Sequence, residues 1–314
     1  MVRDTFTGLL GQDTAVDLLC QAIAQQRIAP AYLFAGPAGV GRRLAALRFA
    51  EPLLGALTAD ITVLRRRIET RNHPDLLWVE PTYLHQGKPI TLAAAEELGV
   101  RRKSPPQIRL VQVREITHFL ARPPLESPRA VVIIEGAETM AEAAANGLLK
   151  TLEEPGQASL ILLAPDSAAL LPTLVSRCQQ IPFRRLSQER MAAVLTAAGY
   201  PEVLQQPDIL AMAQGSPGQA IAAWQQLQTL PEELIGALQQ PPQSLRQALD
   251  LARRVSKELD TEAQLWLVDY LQQYYWQHLR SPALVTALES ARSHLRRFVQ
   301  PRLVWEVTLM ALVP

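Results

Sequence analysis

The chain has 314 residues, of which 48% are hydrophobic and 19% are charged, and its formal net charge is +1. This length suits two or three domains, and a nearly neutral chain has no global attraction for nucleic acids or acidic membranes. Its two cysteines, Cys20 and Cys178, exclude a disulfide framework and a four-cysteine zinc site. The sequence has neither an apolar stretch of about 18 residues to span a membrane nor an apolar export signal at its start. We therefore expect a cytoplasmic protein with no membrane partner.

A glycine-rich turn lies between the first predicted strand, Ala31–Ala35, and a segment with helical spacing, residues 43–50. On that helix one face carries Leu44, Leu47 and Ala50. The turn has the spacing of the phosphate-binding loop GxxxxGKS or GxxxxGKT. In that loop backbone N–H groups cradle phosphates, the lysine reaches the β and γ phosphates, and the hydroxyl holds Mg²⁺. The glycines that fit are Gly36, Gly39 and Gly41.

The last two positions of the loop carry different chemistry. Arg42 replaces the lysine, and its planar guanidinium is not interchangeable with a compact ammonium at a tight site. Arg43 replaces the hydroxyl and places a cation where Mg²⁺ should be bound. We predict a loop that keeps its shape and does not bind ATP productively. The alternative is an ordinary turn whose glycines serve only the backbone angles.

Helical patterns alternate with short apolar runs from Phe6 to Pro182, which predicts an α/β domain with a parallel sheet covered by helices. The runs are residues 32–35, 76–79, 130–134 and 160–164. From Leu186 onward only helical patterns remain. The composition changes near Pro182 and again in the Gln- and Pro-rich stretch 228–243, so we expect domains at 1–183, 184–228 and 229–314. In the last one, two apolar helical faces are formed by Leu245, Leu249, Ala252 and Val255, and by Leu303, Val307 and Met310.

A second, acidic motif of phosphate-loop proteins is expected directly after the strand at residues 130–134. An Asp there helps to hold Mg²⁺, and in many ATPases of this type a following Glu polarises the attacking water. This sequence has Glu135 and then Gly136, so the water-activating carboxylate is missing. Glu138 is a weak substitute, because it should point along the next helix, where an acidic residue also suits the helix dipole.

Two further motifs carry a family resemblance. The segment LLKTLEEP covers residues 148–155, and Ser176-Arg177-Cys178 follows the next strand. With the surrounding residues 122–183, they resemble the delta-prime subunits of bacterial DNA polymerase III clamp loaders, which are members of the AAA+ family. The resemblance runs from about Phe6 to Ala220. It implies an AAA+ nucleotide fold, then a small helical lid domain and an all-helical collar domain for oligomerisation.

The resemblance assigns a role to Arg177. In these clamp loaders the Ser-Arg-Cys arginine projects toward ATP bound by the neighbouring subunit, so Arg177 would be a catalytic arginine finger acting in trans. Ser176 and Cys178 would position the turn. Such a guanidinium stabilises charge on the γ-phosphate and accelerates hydrolysis by about 10³- to 10⁵-fold in well-known cases. Without the family context, a surface arginine near a helix end is the simpler interpretation.

Other family positions lack their usual residues. The polar sensor of the γ-phosphate is replaced by Ala164, and the lid arginine by Pro217 or Gly218. Many relatives carry a four-cysteine zinc module near residues 51–72, where this chain has no cysteine, so neither zinc nor another metal is expected. The family-typical segment 72–75, Asn-His-Pro-Asp, is best interpreted as a turn that enters a strand.

We therefore expect a non-catalytic, delta-prime-type subunit of a hetero-oligomeric clamp loader. Its implied partners are the ATPase subunits, the delta subunit, the sliding clamp and primer-template DNA. Two alternatives remain open. One is a divergent ATPase in which Arg42 and Glu135 still hold Mg-ATP. The other is a stand-alone DNA-binding module that uses arginine clusters, although each cluster is more simply a solvated face. The clusters are at residues 65–67, 101–103 and 184–185.

Overall fold

The computed structural model describes residues 2–55, 60–98, 105–154 and 156–313. The chain separates into two compact units, Met1–Arg190 and Met191–Pro314. The predicted arginine cluster at residues 101–103 lies outside the described residues.

The described residues of the first unit form seven strands: β1 Ala31–Ala35, β2 Leu76–Val79, β3 Tyr83–His85, β4 Lys88–Ile90, β5 Ala130–Ile134, β6 Ala158–Ala164 and β7 Gln179–Pro182. Five of them form one parallel sheet in the order β2-β5-β6-β1-β7, and β3 pairs with β4 in an antiparallel hairpin. Every residue of β5 and β6 is buried. This burial on both faces explains why these strands are continuous apolar runs.

Helices cover both faces of this sheet. The helices that begin in the first unit are α1 Asp13–Ala24, α2 Arg42–Leu54, α3 Ile61–Glu69, α4 Leu92–Glu97, α5 Leu110–Leu120, α6 Glu142–Glu153, α7 Pro172–Val175 and α8 Gln188–Ala197. On one face, α5 and α6 pack in a core with alternate residues of β5 and β6, such as Val132 and Leu160. On the other face, Phe49 of α2 meets Tyr32 edge-on, with ring centroids 4.9 Å apart. The parallel α/β architecture is confirmed.

The four predicted strands are all present, but the edge strand β7 was not predicted from the sequence. Strand β7 begins Gln179-Gln180 and ends at Pro182, and only Ile181 is buried. An edge strand that pairs on one side needs neither an apolar run nor every backbone N–H. The three-residue strands β3 and β4 are also too short and too exposed to give an apolar signal.

Helix α2 buries a face next to the apolar row that the sequence suggested. Leu44 and Leu47 are only partly buried, whereas the core residues are Ala45, Ala46, Phe49, Ala50, Leu53 and Leu54. The small alanines allow the helix to lie close to the sheet. Leu44 and Leu47 lie on a neighbouring face and stay partly exposed near the loop.

The second unit is helical throughout its described residues. After α8 it contains α9 Pro207–Ala213, α10 Pro217–Thr229, α11 Glu232–Leu238, α12 Leu245–Glu258, α13 Thr261–His278, α14 Pro282–Arg296 and α15 Pro301–Met310. One hydrophobic cluster extends from Met191 to Leu312 through these helices, and α11 lies within the stretch where a break was expected. The division into 184–228 and 229–314 stays a prediction.

The apolar faces expected on α12 and α15 are partly exposed. Ala252 and Val255 of α12 are buried, but Leu249 is 38% exposed and Leu245 is more so. On α15 the core residues are Val304, Trp305, Thr308 and Leu309, and both Leu303 and Val307 are more than half exposed. These helices pack against each other and still present apolar side chains to solvent. Within the described ranges, every helix is too short or too polar to span a lipid bilayer.

The Asn-His-Pro-Asp segment forms the predicted turn into β2. The Asp75 carboxylate accepts hydrogen bonds from the backbone N–H groups of Leu125, Glu126 and Ser127, over 2.6, 2.8 and 2.8 Å. Burial alone would raise the pKa of Asp75, but these bonds lower it. His73 is buried, and its Nδ1 accepts from the Asp75 N–H over 3.2 Å. Burial, assisted by the charge of Arg67, lowers the pKa of His73.

We predict that the protein loses stability as the pH falls from 7 through the ordinary pKa of histidine, 6.5, because of His73. The folded pKa of His73 lies below its ordinary value of 6.5, so the unfolded chain takes up a proton first as the pH falls, and unfolding becomes easier. The pKa of Asp75 is shifted in the same direction, but its contribution to stability is lost only as the pH falls below the ordinary value of 3.8. Urea unfolding at several pH values checks this, with His73→Asn expected to flatten the slope and the exposed His118→Asn expected to leave it unchanged. An equal slope in all three proteins would contradict the assignment.

Candidate functional site

The glycine-rich turn joins β1 to α2, in the context that a phosphate-binding loop requires. Gly36 lies so close to the chain after β7 that an added Cβ would be 2.3 Å from the Phe183 carbonyl oxygen. Gly41 precedes α2 with a φ of +104°, and an added Cβ would be 2.6 Å from Leu9 Cδ1. Packing and backbone conformation therefore require glycine at both positions, whether or not a phosphate binds.

Gln12 ties this loop to the end of the sheet, and sequence reasoning missed it. The side chain is 4% exposed. Its Nε2 donates to the Val40 carbonyl over 3.2 Å and to the Arg184 carbonyl over 2.7 Å, and its Oε1 accepts from the Arg184 N–H over 3.0 Å. The loop is thus held in shape by protein contacts alone.

Arg42, at the lysine position, has a hydrogen-bond donor without a partner among the described residues. Its NH1 is buried and has no hydrogen-bond partner among the described residues. Burial lowers the pKa of Arg42, while the charges of Glu138 and Glu135 act to raise it. Glu138 lies exposed in a short 3-10 helix, Ala137–Thr139, so it contributes charge to Arg42 from a distance.

Arg43, at the hydroxyl position, is engaged within the protein. Its guanidinium carbon lies 5.0 Å from the ring centre of Trp78, within cation–π range. Its NH1 is 3.9 Å from Glu135 Oε2, so the acidic side chain expected to assist Mg²⁺ faces an arginine. Arg71 lies over the same ring at 4.7 Å and pairs with Glu80 at 2.9 Å. Trp78 was not recognised from the sequence, where it belonged to an ordinary apolar run.

The second position of the acidic motif, Gly136, and the sensor position, Ala164, carry no polar side chain. Gly136 has a φ of +65°, and an added Cβ would be 2.8 Å from Pro81 Cγ, so a carboxylate side chain does not fit without strain. Ala164 ends β6, is fully buried, and accepts the Gly36 N–H over 3.1 Å through its carbonyl. Neither position can activate water or contact a γ-phosphate through a side chain.

A cavity of about 420 Å³ lies against the loop. It is lined by Ala38, Gly39, Gly41, Arg42, Arg43, Leu44, Leu47, Glu135, Gly136 and Leu163. These residues provide two guanidinium groups, one carboxylate and no side-chain hydroxyl. The cavity can attract an anion, but its one carboxylate, Glu135, faces Arg43 and has no side-chain hydroxyl beside it to share in binding Mg²⁺. Elsewhere in the described parts of the chain, no cluster of three or more His, Cys, Asp or Glu could hold a metal ion.

Ser176-Arg177-Cys178 forms the turn between α7 and β7. Ser176 Oγ donates to the Thr173 carbonyl over 3.1 Å. Cys178 packs against the core, and burial raises the pKa of its thiol to about 11. The thiol therefore stays protonated at neutral pH and is a poor nucleophile. Both neighbours anchor the turn, and Arg177 is the charged side chain that it exposes.

Arg177 lies on the surface and is held by two contacts. Its NH1 donates to the Thr173 carbonyl over 3.0 Å, and its NH2 donates to Glu153 Oε1 over 2.7 Å. Its side chain is 37% exposed. Glu153 belongs to the LLKTLEEP motif, but no role was assigned to it from the sequence.

Sheet topology separates Arg177 from the loop of its own chain. Strands β1 and β7 are parallel, with Gln179 opposite Tyr32. The loop follows the carboxyl end of β1, whereas Arg177 precedes the amino end of β7. The two sites therefore lie beyond opposite ends of the parallel strands. They are separated by at least the length of a four-residue strand, about 13 Å. An arginine side chain is shorter than this, so Arg177 does not reach a group bound at its own loop.

The lid segment that lacks the expected arginine, residues 215–218, belongs to the second unit. Ser216 caps α10, with its hydroxyl accepting the Gln219 N–H over 3.3 Å, and Pro217 opens the helix. Gly215 has a φ of +82°. Capping and turn formation account for these residue types.

Family comparisons cover nearly the whole chain. Residues 11–187 match the family described as DNA polymerase III, delta subunit. Residues 189–312 match the family described as cyanobacterial DNA polymerase III delta prime, C-terminal domain. The chain belongs to the delta-prime family of DNA polymerase III subunits. The resemblance noted in the sequence is thereby confirmed.

Individual relatives agree with this assignment. DNA polymerase III subunit delta' of Bacillus subtilis is 33% identical over 180 residues, 56% of this chain and 48% of the relative. The Pseudomonas aeruginosa subunit of the same name is 33% identical over 199 residues, 60% of this chain and 54% of the relative. The chain spans about half the length of these relatives.

A solved structure shows the same fold. A DNA polymerase III gamma subunit-related protein from Thermotoga maritima superposes with a TM-score of 0.58 and 16% identity, covering 96% of this chain and 98% of that one. The predicted AAA+ fold, with a parallel-sheet domain followed by helices, is confirmed. The roles of the loop residues and of Arg177 stay predictions.

Proposed function

We propose that this chain is a non-catalytic subunit of a DNA polymerase III clamp loader that supplies Arg177 to the ATP site of a neighbouring subunit. The observation that carries the proposal is the contrast between the loop cavity and Arg177, which lie beyond opposite ends of the strands of one sheet. The loop cavity has no side-chain hydroxyl and its one carboxylate, Glu135, pairs with Arg43, and Gly136 leaves no room for a water-activating carboxylate. Arg177, by contrast, is exposed and already oriented.

The partners follow from the family. Relatives of this chain include the DNA polymerase III subunits tau of Bacillus subtilis and tau/gamma of Haemophilus influenzae, each 26% identical over about two thirds of this chain. We infer that ATPase subunits of this kind are the neighbours that receive Arg177. A delta subunit, the sliding clamp and primer-template DNA would complete the cytoplasmic assembly that loads the clamp.

The exposed apolar side chains of the second unit support a role in oligomerisation. Exposed apolar area on a monomer is typical of an interaction surface, and four such residues lie on α12 and α15: Leu245, Leu249, Leu303 and Val307. We infer that 229–314 acts as the collar and 184–228 as the lid of the proposed subunit.

A divergent ATPase is the main competing function. Arg42 and Glu135 do lie at the loop, and the cavity could accept an anion. However, Arg43 pairs with Glu135 and lies over Trp78, so ATP with Mg²⁺ would first have to displace it.

A stand-alone DNA-binding module has less support. Two arginines of the cluster at 65–67 are occupied by carboxylates, because Arg65 bonds to Glu51 and Arg67 to Glu126. Their positive charge is therefore balanced locally instead of being available to phosphates.

Reconstitution tests the proposed function. The full chain is mixed with ATPase subunits, the delta subunit and the clamp, and ATP-dependent loading of the clamp onto primed DNA is measured. We expect a stable complex and loading that requires this chain. Failure to join the complex, or equal loading without this chain, would contradict the proposal.

A further inference from the structure

Glu153 fixes the side chain of Arg177 from a separate element of the fold. It is the last residue of α6, and its carboxylate accepts from Arg177 NH2 over 2.7 Å, while the Thr173 carbonyl of α7 accepts from NH1 over 3.0 Å. The two helices pack together, and Leu148 of α6 and Leu174 of α7 belong to the same buried core. The guanidinium is thus oriented by two well-anchored groups.

The contacts leave part of the guanidinium open. An arginine has five N–H donors, and the contacts to Glu153 and Thr173 account for two of them. No other acceptor bonds to the Arg177 side chain among the described residues. The side chains of Arg177 and Glu153 are 37% and 53% exposed. An anion approaching from solvent can reach the guanidinium without displacing the carboxylate.

We propose that Glu153 is a positioning residue, which holds Arg177 in the orientation that engages the phosphate of a neighbouring subunit's nucleotide. This inference rests on the proposed function. A free arginine must give up much rotamer freedom when it binds, and prior orientation removes part of that cost. The negative charge of Glu153 also weakens the attraction of Arg177 for phosphate. That opposing effect is small here, because both groups are solvent-exposed and the high dielectric of water weakens interactions between their charges.

The chain provides a matched control for Glu153. Glu154 follows it directly and is exposed, and its side chain has no bonding partner among the described residues. We compare Glu153→Ala, Glu153→Gln and Glu154→Ala in the reconstituted loader, measuring kcat and KM for ATP. Losing an exposed ion pair such as that of Arg177 with Glu153 lowers the population of the oriented Arg177 side chain by up to about fivefold. Glu153→Ala should therefore lower kcat by up to about fivefold with KM unchanged, Glu153→Gln should be intermediate, and Glu154→Ala should match the wild type.

A double variant separates positioning from a structural effect. When Arg177→Ala is already present, Glu153→Ala should cause no further loss, because the group that it orients is gone. The inference is overturned if Glu153→Ala matches Glu154→Ala, if it raises kcat, or if it lowers kcat equally in both backgrounds. A loss with Arg177→Ala but none with Glu153→Ala would remove only the positioning role. An unchanged rate with Arg177→Ala would also remove the proposed finger.

Discussion

Replacing Arg177 with alanine is expected to slow ATP hydrolysis at the adjacent ATPase subunit by about 10³-fold, the lower end of the range for arginine fingers. The physical reason is loss of a guanidinium that stabilises charge on the γ-phosphate in the transition state. Assembly should be unaffected, because Arg177 is a surface residue whose contacts are one ion pair and one carbonyl. Single-turnover hydrolysis of labelled ATP by the reconstituted loader, with gel filtration to verify assembly, measures both effects.

Two variants make the Arg177 result specific. Arg177→Lys keeps the charge but not the planar fork, so its rate should lie between wild type and alanine. Arg66→Ala removes an exposed arginine of the same unit that bonds to no carboxylate among the described residues, and it should leave the rate unchanged. A wild-type rate for Arg177→Ala would remove Arg177 from the mechanism, and equal losses in Arg177→Ala and Arg66→Ala would indicate a general charge effect.

Replacing Glu51 with alanine is expected to destabilise the first unit by about 3 kcal/mol. This carboxylate is 1% exposed on α2 and accepts two hydrogen bonds from Arg65 of α3, over 2.8 and 2.9 Å. It accepts another from Arg48 over 2.7 Å. Alanine would leave both arginines without this partner, although Arg65 can still reach water because its side chain is 33% exposed. This contact joins α2 to α3.

Glu69→Ala is the matched control for Glu51→Ala. Glu69 also accepts from Arg48, over 3.1 Å, but its side chain is 46% exposed. Exposed pairs contribute about 0.2 to 1 kcal/mol, so this variant should unfold at nearly the wild-type urea concentration. Circular dichroism during urea unfolding gives both values, and equal stabilities of the two variants would contradict a buried anchoring role for Glu51.

Much of the fold could be predicted because its signals are local. The strand at 130–134 is buried on both faces, so its residues are all apolar, and the glycines of the loop follow from a turn that needs them. Strand β7 could not be predicted in this way, because edge position permits Gln179 and Pro182. The buried face of α2 was also ambiguous, since a row of leucines and a neighbouring row of alanines and Phe49 have the same helical period, and only packing on the sheet selects one.

In the candidate sites, too, only features with a local sequence signal could be predicted. The replacements at Arg42, Arg43 and Gly136 are visible in the sequence because the motif fixes what should stand there. The contact of Arg43 with Trp78 and that of Arg177 with Glu153 join residues far apart in the chain, the latter 24 positions. Neither pair has a spacing rule, so both required the folded structure. The structure also explains why Gly136 cannot simply be replaced by a carboxylate, since Pro81 occupies that space.

In the proposed function, this chain serves a nucleotide bound by another subunit and has no productive ATP site of its own. The most direct test is titration of the purified chain with fluorescent ATP and Mg²⁺, followed by a phosphate-release assay on the same sample. We expect no saturable binding that depends on Mg²⁺ and no turnover, because the one carboxylate of the cavity, Glu135, pairs with Arg43 and Gly136 has no side chain to activate water. Tight Mg²⁺-dependent binding with multiple turnovers would contradict the account.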